Sequence, residues 1–173
     1  MLLSGPLAFY TVANGIATAI DTALTNTLGG RPQRVSIVPG AIAHDVCDCG
    51  ALYVSPGDFF LSDDFPQGGL SAATRETPCE LSWVVSRIVI ELMRCAPQPT
   101  GNATAPTVQA LDTAARIYVS DAYYARRATL AYLCGLKSSD QIIDFALGDQ
   151  SQNGPAGGCV GTSLTAYVSL PRE

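Results

Sequence analysis

The residues best suited to chemistry in this chain are its sulfur and imidazole donors, and they are few. His44 is the single histidine; it opens the run His44-x-x-Cys47-x-Cys49, and Cys79 and Cys95 follow further along. Soft donors so close together, completed by Cys79 or Cys95, could hold zinc tetrahedrally. Against that, Cys47 and Cys49 fall within one predicted strand, whereas structural zinc sites usually draw paired ligands from tight turns. A disulfide between neighbouring strands would use the same cysteines, but a reducing cytoplasm disfavours it. Nor does a strand start beside His44 supply the electropositive, partly open setting that activates a thiolate nucleophile. Buried thiols acting as small hydrophobes are the expectation here, with neither metal nor cofactor and no enzyme activity.

The remaining clusters are weaker still. Asp63 and Asp64 form an acidic pair in a predicted loop, and as paired carboxylates they could take calcium or move protons. No ladder of Asn and Asp ligands surrounds them, so a solvated loop tip is the simpler reading. Gly154 to Gly161 has no Lys or Ser/Thr at phosphate-loop spacing and does not precede a helix. Arg126-Arg127 reads as the solvated face of a helix and Trp83 as core.

The elements that must position these residues follow from hydrophobic period. Residues 6–28 read as a helix, with Phe9, Ala13, Ile16, Ile20 and Leu24 at spacings of three and four and Gly29-Gly30 as the stop. Residues 34–38 and 47–54 read as strands. A long connection, 55–78, carries Pro56-Gly57, Pro66 and Gly68-Gly69. The strand at 79–93 is apolar on both faces in its second half and so belongs at a sheet centre. After a loop at 97–106, residues 107–133 read as a long helix with Val108, Leu111, Ala115, Val119 and Ala122 along its buried stripe and Gly135 beyond its end. Strands at 141–147 and 163–170 flank a glycine-rich loop, 148–161. The expected fold is α+β: a mostly antiparallel sheet of about five strands with two long helices packed on it, in a single domain spanning 1–173.

Composition narrows the function classes. The net charge is −5 and the pI about 4.7, which argues against a nucleic-acid binder. Only 14% of the 173 residues are charged and the mean hydropathy is +0.21. A surface so poor in charge is explained most simply if other subunits cover much of it. No basic leader and no apolar run of membrane-spanning length stands out, so a cytoplasmic origin is expected.

Four stretches occur in a telling order. Arg34-Val35-Ser36-Ile37-Val38-Pro39-Gly40 leads into Cys47-Asp48-Cys49-Gly50; the strand from Cys79 runs through Arg94-Cys95-Ala96-Pro97. Val108 to Ala115 opens the long helix, and Gly154-Pro155-x-Gly157-Gly158-Cys159-Val160-Gly161 precedes a final alternating strand. Together they resemble the tail terminator family of long-tailed, non-contractile bacteriophages, in the versions carried by phages of actinobacteria. The resemblance implies a virion protein, assembled in the host cytoplasm, that forms a homo-hexameric ring on the head-proximal end of the tail tube. Such a ring stops polymerisation of the tube protein and docks to the stopper or connector protein of the head. DNA passes through its lumen without specific binding, and no membrane is involved. On that reading Asp58, Asp63 and Asp64 are candidates for an acidic lumen that repels phosphates. Asn153, Gly154, Pro155, Gly157 and Gly158 are candidates for a contact loop, with an ordinary hairpin connection as the alternative. The rival assignments are a head–tail adaptor, a stopper, a tail tube subunit, and a small zinc-binding or thiol enzyme. Adaptors are dominated by helices and stoppers are mostly small β-barrels, and neither suits a chain with several strands and two long helices.

Overall fold

A computed structural model describes residues 3, 7–40, 50–68, 83–99 and 104–170. Its first element, α1 (Ala8–Ala23), forms because Val12, Ile16 and Ile20 recur at helical spacing, with Ala13 and Ala17 beside them, on one buried stripe. The helix ends earlier than the expected residue 28, because the chain tightens into turns in which Thr27 and Gly30 donate to Leu24 and Thr27. Then come β1 (Arg34–Ile37), β2 (Ala51–Ser62), β3 (Trp83–Cys95), α2 (Val108–Ser138), β4 (Asp144–Ala156) and β5 (Cys159–Leu170). The strands form one sheet in the order β1-β2-β3-β5-β4. β1 runs parallel to β2, and every other neighbouring pair is antiparallel. The α+β class is therefore observed, with five strands and two helices among the described residues and a sheet made mixed by β1.

Register explains the core. Leu52 and Val54 stand opposite Leu92 and Ile90, and Ile90 and Ile88 stand opposite Leu164 and Ala166. All are buried, and with Val12, Ile16 and Ile20 of α1 they form one apolar cluster. As expected, β3 is the central strand. α2 lies on α1, at a point where Gly15 leaves room for the Tyr132 ring; any side chain at Gly15 would overlap it.

Five expectations need correction. The first half of the connection 55–78 is not a loop: β2 continues to Ser62, and a bulge between Gly57 and Phe59, with Asp58 at φ 41°, absorbs Pro56-Gly57. Gly135 does not end the second helix, which runs on to Ser138 and stops where Asp140 turns left-handed at φ 52°. The stripe Val108, Leu111, Ala115 and Val119 is exposed; Asp121, Ala125, Thr129, Leu133 and Leu136 form the buried one. The loop 148–161 is the far half of β4, a turn at Gly157-Gly158 and the start of β5, both glycines holding positive φ. Trp83 is 38% exposed rather than core and meets Phe65 edge-on, with ring centroids 6.4 Å apart.

The end of α2 is tied to the start of β4 by Lys137 Nζ, which donates to Asp144 Oδ1 at 2.6 Å. Burial alone would push the Asp144 carboxyl up, but the Lys137 hydrogen bond, the Phe145 N–H and the Lys137 charge outweigh it and hold it below the ordinary range. A lowered folded pKa contributes stability above the unfolded value of about 3.9 and loses it as pH falls through the folded value. Because both side chains are more than a third exposed, the pair is worth little. Asp144→Asn is expected to cost about 0.5 kcal/mol at pH 7 and nothing at pH 2. Urea midpoints of the two proteins across that range test it.

Candidate functional site

Two surfaces of unusual chemistry meet along the first half of α2. Thr107 starts the helix, its Oγ1 accepting from the Ala110 N–H at 3.1 Å. Between Thr107 and Ser120 no residue is fully buried, so this half of the helix packs loosely on the rest of the fold. On its inner side Ala110, Ala114 and Ile117 face Leu92, Ala96 and Val160 across a largely apolar cavity of about 520 Å³. On its outer side Val108, Leu111 and Val119 are 85%, 51% and 64% exposed and form an apolar ridge. Asp112 and Arg116, paired at 2.7 Å one helical turn apart, border that ridge.

The cavity's polar end is built from a buried ion pair. Arg94 leaves β3 on the helix side and donates through Nε to Asp121 Oδ2 at 2.7 Å and through Nη2 to Asp121 Oδ1 at 3.3 Å. Nη2 also donates to the Gly30 carbonyl at 2.7 Å. Their side chains are only 12% and 3% exposed. Burial pushes the Asp121 carboxyl up, and the hydrogen bonds and charge of Arg94 pull it back only in part. Gly29 makes the approach feasible, because a Cβ there would lie within 2.9 Å of both Arg94 Nη2 and Asp121 Oδ1.

The acidic triplet is split. Asp58 sits in the β2 bulge rather than on a loop, and Arg87 Nη1 lies 3.0 Å from its carboxylate and offsets its charge. Asp63 and Asp64 lie in the turn after β2, where the Asp64 N–H donates to Ser62 Oγ at 3.2 Å and the Asp64 carbonyl accepts from Gln67. The glycine-rich segment is a hairpin fastened to β3. Asn153 Nδ2 donates to Glu91 Oε1 at 3.1 Å, and the Gly158 carbonyl accepts from the Ala96 N–H at 2.8 Å. Gly154, Pro155 and Gly157 belong to the same hairpin.

Of the suggested zinc or disulfide cluster, His44, Cys47, Cys49 and Cys79 lie outside the described residues. Cys95 ends β3 and is exposed. Among the described residues, no three His, Cys, Asp or Glu side chains are placed to hold a metal ion. No described helix is long and apolar enough to cross a membrane.

Sequence reasoning passed over the Arg94–Asp121 pair. Its only local trace is a cation near the end of a largely apolar strand and an acid on a helix face of alanines and tyrosines. No protein-family model matches the chain, and no curated protein sequence matches it significantly.

Proposed function

We propose that the chain is a ring-forming structural protein, the tail terminator of a long-tailed, non-contractile phage. It caps the head-proximal end of the tail tube, ends tube polymerisation and docks to the head connector. The observation that carries this reading is the exposed apolar ridge of Val108, Leu111 and Val119, on a helix whose opposite side borders an apolar cavity. A closed ring of identical subunits needs two different patches on each copy, one to give and one to receive. The ridge and the cavity are such a pair, and the low charge content fits a surface that neighbours cover. Two helices packed on an open mixed sheet also suit this reading better than a β-barrel stopper.

Electron microscopy of particles from a phage with this gene disrupted tests the assignment. Overlong, irregular tubes beside separate filled heads are the expected result. Normal-length tails lying loose beside leaking heads would instead make the chain a stopper or adaptor, and intact virions would refute an assembly role. Complementation refines the test. The triple variant Val108→Glu, Leu111→Glu, Val119→Glu is expected to change unfolding free energy by less than about 0.5 kcal/mol, since all three are exposed, yet to fail to restore tails.

A further inference from the structure

Cys95 is the last residue of β3 and Cys159 the first of β5, and the antiparallel ladder sets them directly opposite each other. The phase of that ladder decides what they can do. Because the Ala96 N–H donates to the Gly158 carbonyl, Ala96 and Gly158 form a hydrogen-bonded pair. By alternation, Cys95 and Cys159 occupy the next, non-hydrogen-bonded pair. In such pairs the Cα atoms lie about 4.5 Å apart, and the two side chains share a face at their closest cross-strand approach. A disulfide requires Cα atoms about 4.4–6.8 Å apart, so the backbone stands ready for one without movement. The two thiols also differ in access. Cys95 is exposed, whereas Cys159 is a buried free thiol with its Sγ 3.9 Å from the Gly157 carbonyl.

We propose that Cys95 and Cys159 are a thiol–disulfide exchange site, which closes a cross-strand bridge when it meets a low-molecular-weight disulfide such as oxidised glutathione. The Cys95 thiolate attacks one sulfur of the oxidant, breaking its S–S bond and releasing one glutathione thiolate. The Cys159 thiolate then attacks Cys95 Sγ, forming the protein disulfide and expelling the second glutathione. The two cysteine protons end on the two glutathiones, so two protein thiols are oxidised and one small disulfide is reduced. The bridge pins the end of the central strand to β5 beside the turn of the β4–β5 hairpin. It also closes a loop of about 65 residues that contains α2, which restricts the unfolded chain. If the phage assignment holds, closure follows host lysis, when the particle leaves a reducing cytoplasm; the exchange chemistry itself does not rest on that assignment.

The test uses the full chain, purified reduced and incubated with excess oxidised glutathione, with unreduced peptides mapped by mass spectrometry. A Cys95–Cys159 cross-linked peptide is expected, with a Tm raised by about 10 °C that dithiothreitol reverses. Cys95→Ser, at an exposed position, is expected to keep the Tm of the reduced protein and to gain nothing from the oxidant. Cys159→Ser is expected to trap glutathione on Cys95. A lasting glutathione adduct on Cys95 of the natural protein, a bridge from Cys95 to any other cysteine, or full alkylation of both thiols after oxidation would each overturn the proposal.

Discussion

Gly161→Ala is expected to destabilise the protein by about 3 kcal/mol or more, enough to leave much of it unfolded at moderate urea. Gly161 lies in β5 opposite Met93 of the central strand. A Cβ there would overlap the Leu92 carbonyl oxygen and come within 2.9 Å of both Leu92 C and Met93 Cα. Those neighbours are backbone, so relief means separating β3 from β5 where they carry the core residues Leu92 and Leu164. A flexible side chain could swing aside at small cost; a ladder cannot. Gly135→Ala is the matched control. It sits inside α2 with nothing within 4 Å of its added methyl, and alanine there is expected to stabilise by about 0.5–1 kcal/mol. Urea denaturation of the three proteins decides the matter, and equal midpoints for Gly161→Ala and the natural chain would disprove the β3–β5 register.

That register was partly legible in the sequence. Leu164, Ala166, Val168 and Leu170 alternate with polar residues, because β5 buries one face in the apolar cluster, and the two-sided apolar run of β3 marks a strand with neighbours on both edges. What stayed hidden has physical causes. Pro56 and Gly57 are turn residues in isolation, yet a bulge accommodates them inside β2. From Gly148 to Ala156, β4 has no apolar alternation at all; it is an edge strand held by pairing to β5, so its sequence looks like a loop. Helical period found one apolar stripe on α2 but could not say how much of it the fold covers. Its first half, Val108 to Val119, is exposed, and the buried half of the helix holds Asp121, satisfied by Arg94, and Thr129, whose hydroxyl donates to the Ala125 carbonyl. For the candidate site this exposed half is the informative failure. Hydrophobic burial within one subunit does not account for Val108, Leu111 and Val119; on the proposed ring reading, burial between subunits would.

Arg94→Met is the second large expected loss, about 3 kcal/mol at pH 7. The arginine joins three parts of the fold, since it leaves β3, grips Asp121 on α2 and binds the Gly30 carbonyl after α1. Methionine fills much of the stem's volume but leaves a buried carboxyl and a carbonyl without their donors. The pH dependence separates charge from packing. Burial holds the folded pKa of Asp121 above the unfolded value even with Arg94 present. Between those two values the native state binds more protons than the unfolded one, so stability falls as pH rises through that window. Without Arg94 the folded pKa climbs further and the window extends upward. The deficit of Arg94→Met is therefore expected to widen from about pH 4 towards pH 7, measured as urea unfolding free energy against the natural chain. A constant deficit would mean that Arg94 acts through its stem and not its charge. Arg94→Met with Asp121→Leu removes both charges and is expected to recover most of the loss, as apolar replacements of buried pairs do. The pair also lies where α2 turns from its buried half to its exposed half. A double variant that regains stability but still fails to build tails would thus assign Arg94 and Asp121 to aiming the ridge.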